Sequence, residues 1–231
     1  MHIELIKKQF SREISRPGKT GVDWYLFYYF LKLTKKSPAI EFGVGNGGSL
    51  FTMVDINNNV TVIDNWEYNW HKKDVEIILN RFDKTICWIN SDSTNLTPND
   101  LGNYGFVHLD ANKSFNGTIA DLTLSSKICT NLICVDDYMN SLWPEVTWAV
   151  DSWLTSNPSW KRILIGNHQI FLSQKSVNIK ELIVNIPLIN RMGTWYISYG
   201  QYDNCVTPFI DNGKIIYSWH NISTSDSKDE L

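Results

Sequence analysis

Ala39-Ile-Glu-Phe-Gly-Val-Gly-Asn-Gly-Gly-Ser49 is the stretch whose reading decides the fold. A short apolar run, Ala39 to Phe42, carries one acid, Glu41, and breaks into a turn containing Gly43, Gly45, Gly47 and Gly48. Glycines at this spacing let the backbone turn tightly and approach a ligand where a Cβ would collide. The apolar pattern from Leu50 to Asn57 predicts a helix whose first N–H groups and dipole point back at that turn. Strand, glycine loop and helix together are the entry to a nucleotide-type site in a doubly wound α/β sheet. A tight structural turn is the plainer use of the same residues.

Working outward, apolar runs at Val60–Asp64, Thr85–Asn90, Gly105–Leu109 and Asn131–Val135 read as strands. Helical patterns lie between or beside them: Trp24–Leu33 with Thr20 and Asp23 as cap candidates, a polar one around His71–Asn80, Asn116–Cys129, and one from Pro144 through Leu154. The alternation predicts a mostly parallel, seven-stranded sheet with helices on both faces. Lys161–Gly166 and Gln169–Leu172 are close enough to be antiparallel neighbours.

Residues 1–174 thus form one domain with a polar lead-in over 1–20. The rest, 175–231, is a β-rich, aromatic extension packed on the same domain, with a hairpin signal at Asp211-Asn-Gly213. Its aromatics suit either an acceptor-facing surface or a homo-oligomer interface, and the tail from Ser223 is expected to be disordered.

Composition narrows the classes. The 231 residues are 43% hydrophobic and 19% charged with a net charge of -3, an ordinary globular balance that gives no electrostatic reason to expect nucleic acid. No apolar run approaches the roughly 20 residues that span a bilayer. Cys87, Cys129, Cys134 and Cys205 show no Cys-x-x-Cys spacing and read as reduced, buried thiols of a cytoplasmic protein. The terminal Lys228-Asp-Glu-Leu231 matches a retrieval signal, and Asn95, Asn116 and Asn221 match glycosylation acceptors. With no signal-peptide pattern at the N-terminus, these are read as coincidental.

Acids recur where the strands end: Asp64, Asp92, Asp110, and Asp136 with Asp137. In a doubly wound sheet those ends share one edge, where ligands sit. Asp64 follows the glycine loop by about the twenty residues expected of a ribose-binding acid. Helix caps and turns are the ordinary alternative for each acid. Asp110, Asp136 and Asp137 form a second cluster, read as three carboxylates without a basic partner; oxygen-only ligation of that kind suits Mg²⁺.

These blocks resemble the class I S-adenosylmethionine-dependent methyltransferases. The likeness is to the bacterial branch that holds sugar O-methyltransferases of antibiotic pathways, macrocin-type O-methyltransferases and the so-called cephalosporin-hydroxylase group. It runs over about residues 20–173, through Glu41–Ser49, Val62-Ile-Asp64, Ser91-Asp-Ser93 and the run from Val107 to Leu154. In that run His108-Leu-Asp-Ala-Asn-Lys-Ser-Phe-Asn-Gly117 resembles the family's Asp-Gly-(Asp/Asn)-His-Ser-Tyr-(Glu/x)-Gly segment, followed by Asp121, Val135-Asp-Asp-Tyr138 and Trp148-Ala-Val-Asp151.

The resemblance implies S-adenosylmethionine as cofactor, with Glu41, Gly43, Gly45 and Ser49 around its methionine, Asp64 on the ribose, Asp92 and Ser93 beside the adenine, and Asp110 at the cofactor's edge. It also implies Mg²⁺ on Asp110, Asp136 and Asp137, and methyl transfer to a small-molecule hydroxyl. Asn112 stands where some members have an aspartate proposed as general base, and Lys113 replaces the usual histidine. An amide takes no proton, so deprotonation falls to the metal, to Lys113 if its pKa is depressed, or to His168. A non-catalytic cofactor-binding or interaction protein of the same fold and a nucleotide-dependent oxidoreductase are the competing readings.

Overall fold

The computed structural model describes residues 27–28, 30–45, 47–67, 75–76, 86–163 and 168–174, together with the strand backbone at 164–165, 195–199, 202–211 and 214–222. The caps expected at Thr20 and Asp23, most of the helix expected around His71–Asn80, the side chain of Cys205 and the tail from Ser223 lie outside these residues. The first half lays down β1 (Ala39–Phe42), α1 (Gly48–Ile56), β2 (Val60–Asp64), β3 (Ile86–Asn90) and β4 (Tyr104–Leu109). Then come α2 (Phe115–Ile128), β5 (Cys129–Asp136), α3 (Pro144–Ser156), β6 (Lys161–Ile165) and β7 (Gln169–Ser173). The C-terminal part adds β8 (Trp195–Tyr199), β9 (Tyr202–Asp211) and β10 (Lys214–Ile222). The expected polar loop after β3 is shaped by two short 3-10 turns, Ser93–Asn95 and Pro98–Asp100.

All the strands join one sheet in the order β10-β9-β8-β6-β7-β5-β4-β1-β2-β3. β3, β2, β1, β4 and β5 run parallel, and β7 enters antiparallel between β5 and β6. A dinucleotide-binding sheet of order 3-2-1-4-5-6 has no such reversed strand, so the topology departs from the oxidoreductase reading. β8, β9 and β10 form an antiparallel meander that continues the sheet from the β6 edge, with Asp211 opposite Lys214 across the expected hairpin turn.

Side chains alternate across the parallel strands, broken only by an irregularity between Tyr104 and Phe106 of β4, so the strands feed two cores. On one face Ala39, Val62, Phe106 and Cys134 pack with Phe30, Leu50, Phe51 and Met53. On the other Ile40, Phe42, Ile63, Val107 and Ile133 pack with Leu122, Ile128, Val150 and Trp153 of α2 and α3. Full burial of each such side chain contributes about 1.5–3 kcal/mol, which anchors the strand ends where the acids sit. The cysteines divide: Cys134 is buried and Cys129 half-buried, but Cys87 is exposed because β3 shows most of its residues to solvent. Among the described residues no helix is long and apolar enough to cross a membrane.

Candidate functional site

The glycine loop takes the shape its sequence demands. Gly43, Gly45 and Gly47 have φ of 82°, 51° and 78°, the left-handed region that a Cβ disfavours. Gly43 is pressed against the end of β4, where a Cβ would lie 2.6 Å from the Asp110 carbonyl oxygen. At Gly45 a Cβ would meet nothing within 4 Å, because this glycine faces a cavity. Gly47 is the N-cap of α1 and offers no side chain to cap its first N–H groups.

That cavity measures about 420 Å³, within the range of small-molecule sites. Gly43, Gly45, Asp64, Asp92, Ser93, Asp110 and Asn112 line it, so six of the eight residues assigned to the cofactor converge there. The Asp64 carboxylate accepts the Val44 N–H at 2.8 Å and the Trp66 N–H at 2.6 Å, tying the loop to the end of β2. A carboxylate has about four lone-pair sites, so acceptor capacity remains for hydroxyls. Asp92 caps the 3-10 turn by accepting the Thr94 N–H and Oγ1–H, and those bonds hold its carboxyl below the usual range.

Glu41 and Ser49 do not line the cavity. Both are buried beneath the loop, where the Ser49 hydroxyl donates to Glu41 Oε1. Glu41 stands in register with His108 of β4, and His108 Nδ1 lies 2.9 Å from the same Oε1. Burial pushes the Glu41 carboxyl up against the hydrogen bonds of His108 and Ser49. For His108 burial acts downward, but the Glu41 hydrogen bond and charge outweigh it and the net direction is up. Among the described residues Glu41 Oε2 is a buried oxygen with no hydrogen-bond partner. An orphaned carboxylate oxygen under a glycine cradle, an uncapped helix start and an acid at the end of β2 fit a ligand with an ammonium group and vicinal hydroxyls.

The three acids of the second cluster also meet: oxygens of Asp110, Asp136 and Asp137 all lie within 4.8 Å of one another. They are not without a basic partner. Lys113 Nζ donates to Asp110 Oδ1 at 2.5 Å and to Asp137 Oδ2 at 2.8 Å. Burial acts to lower the Lys113 pKa, but Asp110, Asp136 and Asp137 outweigh it and hold the amine firmly protonated. The condition set for Lys113 as a base, a depressed pKa, is therefore reversed. Carboxylates are the right donors for Mg²⁺, but the Lys113 ammonium already occupies the space between Asp110 and Asp137, so a divalent ion there would have to displace it. The arrangement does not fit a divalent ion alongside Lys113.

Asn112 has a structural task. Its Oδ1 accepts the Ser114 N–H at 3.0 Å and the Ser114 hydroxyl at 2.8 Å, forming the turn that leads into α2. Its amide packs so closely on Gly117 that a Cβ there would lie 2.1 Å from the Asn112 Cγ. His168 sits half-buried just before Gln169, whose Nε2 donates to Asp136 Oδ1 at 3.2 Å, so it stands at the same carboxyl edge without lining the main cavity.

Two features escape a reading of the sequence. A second cavity of about 470 Å³ opens beside the first and shares Asn112 with it; Lys113, Leu142, Trp143 and Glu145 line its walls. Asp121 of α2 is buried, accepts the Ser93 hydroxyl at 2.6 Å, and has its carboxyl pushed up to about 6, chiefly by burial. The Leu142-Trp143-Pro144 run and the early acid of α2 are visible in the sequence, but nothing local says which way they face.

No protein-family model matches the chain, and no curated protein matches it. Solved structures do. The calicheamicin-pathway enzyme CalS11, a TDP-rhamnose 3′-O-methyltransferase, is 16% identical, with 65% of this chain and 76% of that one covered at a TM-score of 0.52. An O-methyltransferase from Bacillus cereus, solved with S-adenosylhomocysteine (SAH), is 14% identical over 74% of this chain and 89% of its own, with a TM-score of 0.54. An rRNA methylase from Streptococcus thermophilus, 12% identical over 64% of this chain and 93% of its own, reaches 0.52. With its strand order and reversed β7, the chain has the Rossmann-like fold of the class I methyltransferases.

Proposed function

We propose that the protein transfers the methyl group of S-adenosylmethionine to a hydroxyl of a small molecule, with a sugar or glycoside as the acceptor class. The observation that carries this reading is the 420 Å³ cavity at the carboxyl edge of the sheet, where the glycine loop, Asp64, Asp92 with Ser93, and Asp110 converge. In this reading the loop and the start of α1 receive the methionine end, Glu41 and Ser49 support it from below, and Asp64 holds the ribose hydroxyls. Asp92 and Ser93 flank the base.

The cofactor supplies an electrophilic methyl on a sulfonium. The chain supplies position and a dry, charged environment, which account for most of the acceleration in an in-line transfer. The acceptor enters by the second cavity, where Trp143 offers a flat apolar face and Lys113 a fixed donor. Lys113 orients the acceptor oxygen and does not take its proton. His168, at the same edge, is the residue we assign to that task. The small-molecule acceptor is supported by the likeness to CalS11 and to the O-methyltransferase NovP, and a net charge of -3 gives no electrostatic support for an RNA acceptor.

Calorimetric titration with S-adenosylmethionine and SAH tests the cofactor assignment. Micromolar binding of both is the expected result, and absence of binding overturns it. Turnover of labelled methyl groups onto hydroxylated acceptors then separates an enzyme from a non-catalytic binding protein.

A further inference from the structure

We infer that Lys113 is the resident counter-ion of the Asp110–Asp136–Asp137 cluster, filling with its ammonium the place a divalent cation would take, so that the protein works without a metal. The geometry is direct. Nζ bridges two of the three acids, 2.5 Å from Asp110 and 2.8 Å from Asp137, and the Lys113 side chain is only 16% exposed. Three converging carboxylates need a cation, and this cation is covalently part of the chain.

The turn that carries Lys113 is fixed from several sides. Asn112 holds Ser114, the Thr118 hydroxyl donates to the Asn112 carbonyl at 3.1 Å, and Gly117 leaves room only for the Asn112 amide. The lysine therefore leaves its backbone at a set place and reaches the cluster as part of the fold. Asp136 has a separate neutral donor in Gln169. An ammonium has three N–H groups, and the two acids engage two of them. The third is shared between Asp136, whose charge also acts on the amine, and an oxygen entering the cavity lined by Lys113, Leu142 and Trp143. Lys113 thus does the electrostatic work of a metal on that oxygen while keeping the three acids compatible.

The inference does not depend on the cofactor assignment, because its test uses Mn²⁺ alone. Loss of the free-ion electron paramagnetic resonance signal on titrating the full chain with MnCl₂ measures binding. The unmodified protein and Lys113→Arg should leave the signal unchanged through the millimolar range. Lys113→Met should gain one site at least about tenfold tighter than any background binding, and Lys113→Met/Asp136→Asn should lose it again. Stoichiometric Mn²⁺ binding by the unmodified protein that Asp136→Asn abolishes would overturn the inference. So would a folded Lys113→Met variant that gains no site. If Lys113→Met folds poorly from carboxylate repulsion, its melting temperature in Mn²⁺ is the second readout: a rise specific to that variant supports the inference, and an equal rise in the unmodified protein refutes it.

Discussion

At the scale of single residues the two glycines of the loop separate folding from binding. Gly43→Ala puts a Cβ within 2.6 Å of the Asp110 carbonyl at φ 82°, and should cost about 1–3 kcal/mol in chemical denaturation. Gly45→Val projects into open space but at φ 51°, where a β-branched residue costs about 1–2 kcal/mol of backbone strain; the fold should survive that cost while S-adenosylmethionine affinity falls by about a hundredfold or more, roughly 2.7 kcal/mol. Unchanged affinity in a folded Gly45→Val protein sinks the loop's assignment. Asp121 gives a pH signature. Its carboxyl sits at about 6 against an ordinary 3.8, so between those values the folded state binds more protons than the unfolded one. Stability must then fall as pH rises from about 4 to 6 and stay reduced above it, by up to about 3 kcal/mol at 1.4 kcal/mol per pKa unit. Urea melts of Asp121→Asn should lose that slope and be more stable at pH 7; a slope that persists assigns it to another group.

At the scale of elements, the approach to α2 decides where Lys113 stands. Ser114 caps the helix by accepting the Gly117 N–H at 3.2 Å, and its hydroxyl also donates to Asn112. Ser114→Ala should cost about 1 kcal/mol of stability by thermal melt. Gly117→Ala is the sharper probe, because its Cβ must displace the Asn112 amide. Its cost should outweigh the roughly 1 kcal/mol by which a helix interior favours Ala over Gly, and acceptor turnover should drop more than cofactor affinity. Equal losses in both would mean that the turn serves the cofactor cavity alone. The blocks after β5 also meet as elements: the Tyr138 hydroxyl donates to Asp151 of α3 at 2.9 Å, and Arg162 of β6 pairs with the same carboxylate at 2.8 Å. Tyr138 and Asp151, which belong to the blocks that carry the family resemblance, are here ties that hold α3 in place.

At the scale of the whole molecule, β8, β9 and β10 extend the sheet from β6, at the far side of β5 and β4 from the glycine loop. Truncation after Gln174 should leave the cofactor cavity's residues in place but turn β6 into an open edge strand, a template for association. The expected outcome is aggregation or a melting temperature lowered by several degrees, read by light scattering and calorimetry. A soluble monomer of unchanged melting temperature that binds cofactor but has lost acceptor turnover would instead make the extension an acceptor lid.

The sequence by itself determined the parallel sheet and the edge on which the site lies, because both rest on local signals. Apolar runs that end in an acid, a glycine loop whose φ angles demand glycine, and Pro144 at the first position of α3 all act within a few residues of themselves. Only the tertiary structure decided the charge balance. Lys113 is three residues from Asp110 but meets Asp137 across the gap between β4 and β5, so two of three acids that looked unpartnered are bridged by a cation, and Gln169 donates to the third. The same holds for Glu41 with His108, joined by the register of β1 and β4, and for Asp121 under Ser93. Each is a contact over 24 or more residues, set by strand order and by which face a side chain takes, and chain periodicity carries no record of either.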